Sequence, residues 1–133
     1  MNLLSALLLA GLALALVRTL LTARSALRPE QARAALQDGT AVLVDVREAG
    51  EWAGGVARDA ALLPLSDLRG PRTRWGPFLQ QHRGQQLFLY CHSGARSGLA
   101  ARMLRREGLA AVNTGGLARW ERAGWPVDAP RQD

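Results

Sequence analysis

Three short apolar runs constrain the fold of this chain most strongly. The run 41–46 is rich in β-branched residues and is apolar apart from Asp45. The runs 86–90 and 110–113 are shorter runs of the same kind. A continuous apolar run is typical of a strand that is buried on both faces, whereas a half-exposed strand alternates apolar and polar residues. Strands buried on both faces occur in parallel sheets, because crossover helices cover both sides of such sheets. The runs therefore predict a central parallel sheet.

Helical patterns separate these runs. Pro29 and Glu30 favour a first helical turn, and Asp38-Gly39 ends that helix. Further helical patterns occupy 77–82, 97–107 and 117–123, and the last two are followed by a glycine. Strands that alternate with helices indicate βαβ crossovers. We therefore predict that 29–133 is a three-layer α/β domain, in which helices flank a parallel sheet.

The opening 24 residues form a separate apolar segment. Residues 3–17 carry no charge, and the run extends to Leu21 with Arg18 as its one charged residue. Nineteen helical residues span about 28 Å, close to the thickness of a hydrocarbon core, if Arg18 reaches toward the headgroups. We therefore expect 1–24 to be an N-terminal transmembrane helix, joined to the domain by a short linker at 25–28.

Charges beside this segment predict its orientation. The arginines at 18, 24, 28 and 33 all lie toward or beyond its C-terminal end, and the positive-inside rule keeps that side in the cytoplasm. We therefore expect a bacterial inner-membrane protein whose domain faces the cytoplasm. The alternative is a cleaved signal sequence that leaves the domain in the periplasm, but the segment lacks a basic start and a good cleavage pattern.

Charge and cysteine content exclude several classes of protein. The net charge is +6 and all 17 basic residues are arginines, which are scattered among acidic residues. We therefore do not expect nucleic acid as a partner. The single cysteine, Cys91, excludes a disulfide within the chain and a multi-cysteine metal site, and two histidines are too few to replace one. If Cys91 has a function, it therefore acts as a thiol.

The segment around Cys91 carries the predicted chemistry. Cys91 follows the predicted strand 86–90 and Ser97 opens the predicted helix, so 91–96 is a strand-to-helix loop. Ligands of open α/β sheets bind at this end of the strands. Such a loop can point successive backbone N–H groups inward, and the helix adds its positive end. Gly94 supplies backbone freedom and Arg96 a positive charge, so we expect a Cys91 thiol of lowered pKa that reacts as a nucleophile.

A lone cysteine at a strand end is more often a small buried hydrophobe. The polar, glycine-containing loop favours the nucleophile instead. With Cys91 as the catalytic residue, the predicted substrate-binding residues are His92, Ser93, Gly94, Ala95, Arg96 and Arg47. For Arg47 the competing interpretation is a structural ion pair with Asp45.

Three blocks of residues resemble the single-domain rhodaneses, a sulfurtransferase family, between about Pro29 and Val127. They are the segment LVDVRE at 43–48 followed by Glu51-Trp52 and Gly55, the Cys-x4-Arg loop at 91–96, and the segment NTGG at 113–116 followed by Trp120, Gly124 and Pro126. The chain departs from the family after Gly55, where it has VARDA at 56–60 and the family often has HIPGA.

The resemblance implies a sulfurtransferase without metal or cofactor. In that activity the Cys91 thiolate takes the outer sulfur of a small anionic donor such as thiosulfate, and the resulting persulfide passes it to a thiol acceptor, either a small molecule or a protein. One alternative is a membrane-tethered, non-catalytic binding module of the same fold. The other is a phosphatase or arsenate reductase, which resembles this chain but has a longer Cys-x5-Arg loop to hold a tetrahedral anion.

Overall fold

The computed structural model describes residues 2–24 and 27–131. In chain order the helices are α1 (Leu3–Arg24), α2 (Pro29–Gln37), α3 (Ala49–Trp52), α4 (Leu65–Leu68), α5 (Trp75–Gln81), α6 (Ala95–Arg106) and α7 (Leu117–Arg122). The strands are β1 (Ala41–Asp45), β2 (Val56–Ala57), β3 (Ala61–Leu62), β4 (Gln86–Cys91), β5 (Ala111–Gly116) and β6 (Val127–Asp128).

The main sheet has four strands in the order β3-β1-β4-β5. All of its neighbouring strands are parallel, so the predicted parallel sheet is confirmed. Strands β2 and β6 form a separate antiparallel pair. A register irregularity between β4 and β5 brings Cys91 opposite Gly116. The carboxyl end of β4 therefore lies beside the end of β5.

Helices cover both faces of this sheet, as predicted. Successive side chains of a strand point to opposite faces, so Leu89 and Cys91 join one apolar cluster, whereas Phe88 and Tyr90 join the other. The first cluster includes residues of α4, α5 and α6, and the second includes residues of α2 and α7. The two central strands thus separate two cores, as in an α/β domain with three layers.

The predicted transmembrane helix is not supported. Within the described ranges 2–24 and 27–131, no helix combines the length and the apolar character needed to cross a membrane. The uncharged run 3–17 covers only about 22 Å, short of a hydrocarbon core of about 30 Å, before Arg18 interrupts it. The prediction of an inner-membrane location is therefore wrong, and those of a membrane anchor and of the membrane as a partner are not supported. Of the predicted linker 25–28, Ser25 and Ala26 lie outside the described residues.

Candidate active site

The connection after Cys91 is tighter than the sequence predicted. Cys91 is the last residue of β4, and α6 begins at Ala95 rather than at Ser97, so only 92–94 lie between strand and helix. Gly94 precedes α6 with φ +98°, a conformation that L side chains rarely adopt. A Cβ on Gly94 would also lie 3.1 Å from the Cα of Gly115. Glycine at 94 thus lets the chain turn sharply over the Cys91 side chain.

The Cys91 thiol is buried and hydrogen-bonded. Its Sγ accepts the Gly94 N–H at 3.0 Å, and the Ser97 Oγ lies 3.4 Å away. Burial raises the pKa of the Cys91 thiol. Hydrogen bonds from the Ser97 hydroxyl and from the backbone N–H groups of Ser97, Gly94 and Ser93 lower the pKa by more than burial raises it, so it lies below the ordinary value. Hydrogen bonds to the charged form therefore outweigh desolvation. The hydrogen bonds thus shift the equilibrium toward the thiolate, which is the reactive form of cysteine.

Asn113 on β5 fixes the position of Ser97, and sequence reasoning missed this role. The Asn113 amide donates to the Gly94 carbonyl at 3.0 Å, and its Oδ1 accepts the Gly115 N–H at 3.0 Å. These two bonds set which way the amide faces. The Ser97 Oγ lies 2.7 Å from the same Oδ1. The Ser97 hydroxyl, which has a single proton, thus lies within hydrogen-bond distance of Asn113 Oδ1, of the Gly115 carbonyl and of Cys91 Sγ.

Arg96 forms an ion pair with Glu51 of α3. Its guanidinium forms a two-pronged ion pair with Glu51, with Nη1–Oε1 and Nη2–Oε2 distances of 2.5 and 2.8 Å. The hydrogen bonds from Arg96 lower the pKa of Glu51 to about 2, and the bonds to Glu51 raise the pKa of Arg96. Arg96 therefore ties the first turn of α6 to α3.

Arg47 lies in a buried cluster on the opposite face of the sheet. Its Nη2 is 2.8 Å from Asp45 Oδ2, and its other donors reach the backbone carbonyls of Glu51 and Gly55. The Tyr90 hydroxyl donates to the same Asp45 oxygen at 2.6 Å. The ion pair with Asp45, which was the competing interpretation of Arg47, is thus present. The donors of Arg47 are directed at this cluster and not at the Cys91 loop.

The other predicted site residues lie within the segment 91–96 itself. His92, Ser93 and Ala95 are exposed, whereas Gly94 is half-buried. The His92 carbonyl lies so close to Gly116 that a Cβ there would collide with it. In the described part of the chain, no three His, Cys, Asp or Glu side chains are grouped to hold a metal ion. The site therefore offers one thiol, inward N–H groups and a narrow ring of backbone.

Known proteins show the same domain. A model of the rhodanese-like domain family matches residues 28–123. A protein of Allochromatium vinosum named as a sulfurtransferase is 36% identical over 91 residues, which are 67% of this chain and 79% of that protein. An uncharacterized protein of Synechocystis sp. is 40% identical over 93 residues, 68% of this chain but only 49% of that protein, so the chain spans about half of its length.

Solved structures agree with this match. The human single-domain sulfurtransferase is 25% identical, with a TM-score of 0.59, and the similarity covers 70% of this chain and 91% of that chain.

Proposed function

Because the chain belongs to the rhodanese-like domain family, we propose that it is a sulfurtransferase that carries sulfane sulfur as a persulfide on Cys91. The hydrogen bonding of the Cys91 thiol supports this proposal most directly. The Gly94 N–H and the Ser97 hydroxyl both contact Sγ, and the pKa of the thiol is lowered although burial raises it. A hydrophobic cysteine without function needs no such donors.

The first step loads sulfur onto Cys91. The thiolate attacks the outer sulfur of a donor such as thiosulfate, and a new S–S bond forms while the S–S bond of the donor breaks. The electron pair of the broken bond leaves with sulfite, so the two reactants and the two products carry the same total charge. The negative charge then resides on the terminal sulfur of the persulfide, close to the N–H groups of Ser93 and Gly94 that the thiolate used.

The second step returns Cys91 to its thiolate. An acceptor thiolate attacks the terminal sulfur and takes it, and the electron pair of the broken bond returns to Cys91. A persulfide lengthens the side chain by about 2 Å. This extension helps a fully buried cysteine to present the transferred sulfur to an acceptor while the inner sulfur stays shielded.

The narrowness of the loop supports sulfur as the transferred group. Four residues separate Cys91 from Arg96, and close contacts of Gly94 with Gly115 and of His92 with Gly116 hold the loop against β5. A tetrahedral phosphate or arsenate needs a wider ring of N–H groups. The geometry therefore favours sulfur transfer over phosphatase or arsenate reductase activity.

A single-turnover measurement tests this proposal. Wild-type protein mixed with thiosulfate in the absence of an acceptor should release one equivalent of sulfite per chain, and Cys91→Ser should release none. An alkyl persulfide serves as a second donor, because it also carries a transferable outer sulfur and releases a thiol instead of sulfite. Failure of both donors to load Cys91 would overturn the proposed activity and favour the non-catalytic binding module.

A further inference from the structure

A second arginine, Arg119 on α7, lies against Gly115 of β5, which packs on the Cys91 loop. A Cβ on Gly115 would lie 2.8 Å from Arg119 Cδ and 2.9 Å from its Nη1, so the Arg119 side chain covers Gly115. Gly115 in turn packs against the loop. Its carbonyl oxygen is 3.4 Å from Ser97 Oγ, and its Cα is so close to Gly94 that a Cβ added to Gly94 would lie 3.1 Å from it. Ser97 Oγ is itself 3.4 Å from Cys91 Sγ. One glycine therefore separates the Arg119 side chain from the residues that hold the thiol.

Arg119 differs in its partners from Arg96, the arginine of the Cys-x4-Arg loop. Both prongs of the Arg96 guanidinium are bound by Glu51. Within residues 2–24 and 27–131, in contrast, the ion pairs engage arginines 47, 58, 72, 96 and 131, and Arg119 has no carboxylate at ion-pair distance. Arg119 is half-buried and not fully exposed. Its guanidinium can thus bind an anion without first breaking an ion pair.

We propose that Arg119, and not Arg96, is the residue that binds the anionic part of a sulfur donor such as thiosulfate. The inference rests on the proposed sulfur transfer and names the class of donor. A guanidinium has several N–H donors in one plane, which match the oxygens of a sulfonate group. Arg96 then acts as a positioning residue, because its bond to Glu51 holds the start of α6. Donor affinity depends on Arg119, and the order of the loop depends on Arg96.

Steady-state kinetics with thiosulfate test the role of Arg119. Arg119→Ala should raise KM about tenfold or more while kcat stays within about twofold, since a lost charged hydrogen bond has about this effect. Arg119→Lys should recover part of the loss because the charge remains. Arg122→Ala is the matched control, as Arg122 is an exposed arginine of the same helix, and it should behave as wild type. An Arg119→Ala protein with the KM of the control would overturn the inference.

Binding without turnover keeps this inference separate from the proposed function. Thiosulfate is titrated calorimetrically into Cys91→Ser and into Cys91→Ser/Arg119→Ala, neither of which can form a Cys91 persulfide. The double variant should bind about tenfold more weakly. Equal affinities would contradict the role of Arg119, even in a protein that transfers sulfur. Arg119-dependent binding by a protein that transfers none would overturn the activity alone.

Discussion

Tyr90 and Cys91 are neighbours at the end of β4, yet their side chains enter two polar regions of opposite character. Tyr90 forms a buried ion-pair cluster with Asp45 and Arg47, in which each charged group has a fixed partner. Cys91 enters the thiol loop, defined here as residues 91–97, where N–H and O–H donors surround a single acidic group. Because successive side chains of a strand point to opposite faces of the sheet, these two adjacent residues have unrelated surroundings.

The pKa shifts of the two side chains express this difference. Burial and the neighbouring Asp45 carboxylate raise the pKa of Tyr90, which keeps its hydroxyl protonated as a donor. For Cys91, burial also raises the pKa, but the hydrogen-bond donors lower it below the ordinary value. A polar region whose charges are matched stabilises the fold. One with an excess of donors favours an anion and so prepares a nucleophile.

Removing the thiol should have the largest effect on activity. Cys91→Ser should lower the rate of sulfur transfer by on the order of 10³-fold or more, because a serine hydroxyl cannot replace a thiolate of lowered pKa. Steady-state kinetics give the rate, and circular dichroism and thermal melting should show a folded protein. Retention of more than a tenth of the activity would assign the nucleophile to another group.

Removing the cation of the ion-pair cluster should have the largest effect on stability. Arg47→Met should lower the free energy of unfolding by about 3–5 kcal/mol, since it leaves the Asp45 carboxylate buried without its partner. Arg58→Met is the matched control, because the Arg58–Asp128 pair is about half exposed and should contribute about 0–1 kcal/mol. Denaturant unfolding measures both. Similar losses in the two variants would contradict the structural role of Arg47.

Removing the hydroxyl of Ser97 should alter the thiol loop more subtly. Ser97→Ala should raise the pKa of the Cys91 thiol, because it removes a hydroxyl that lies 3.4 Å from Sγ and stabilises the thiolate. The pH dependence of alkylation by iodoacetamide measures this pKa, and its midpoint should move to higher pH. Ser93→Ala is the control, since the Ser93 hydroxyl contacts the Ala95 N–H rather than the thiol. An unchanged midpoint in Ser97→Ala would show that the backbone N–H groups alone lower the pKa of the Cys91 thiol.

The Glu51–Arg96 pair should have the smallest effect, visible as a change of stability with pH. The folded pKa of Glu51 is about 2, below the ordinary 4.5, so the pair stabilises the fold fully above about pH 4.5 and loses this contribution as the pH falls toward 2. Glu51→Gln should therefore lower the free energy of unfolding at pH 7 by less than about 1 kcal/mol, because both side chains are about one-third exposed.

The deficit of Glu51→Gln should shrink on acidification, as measured by unfolding at pH 7, 4 and 3. Glu121→Gln provides the comparison, since Glu121 is exposed and makes no ion pair within the described part of the chain. A Glu51→Gln deficit that does not change with pH would show that the ion pair is not its cause.

Long elements of the fold were predictable from the sequence and short ones were not. The central strands and the helices α2, α5, α6 and α7 lie within a few residues of their predicted positions, because an apolar run or a helical period marks each of them. The two-residue strands β2 and β3 have no period of their own. Their pairing with β6 and β1 depends on partners elsewhere in the chain. The apolar run at the start predicted a membrane span that the structure does not support.

The site shows the same division between local and distant contacts. The loop around Cys91 could be predicted because its residues are contiguous in sequence. The partner of Arg96, in contrast, is Glu51, 45 residues away, and that of Ser97 is Asn113, 16 residues away. The sequence assigned Asn113 only to a strand and to the NTGG block. No local pattern indicates that Arg96 turns toward α3 while Arg119 covers Gly115.

Mass spectrometry of intact protein tests the central claim, a persulfide on Cys91, most directly. Protein incubated with thiosulfate and freed of small molecules should gain about 32 Da, the mass of one sulfur atom, and peptide mapping should place it on Cys91. A thiol acceptor should then remove the added mass, and Cys91→Ser should never acquire it. An unchanged mass after exposure to thiosulfate and to an alkyl persulfide would contradict the account, as would a sulfur atom carried by any residue other than Cys91.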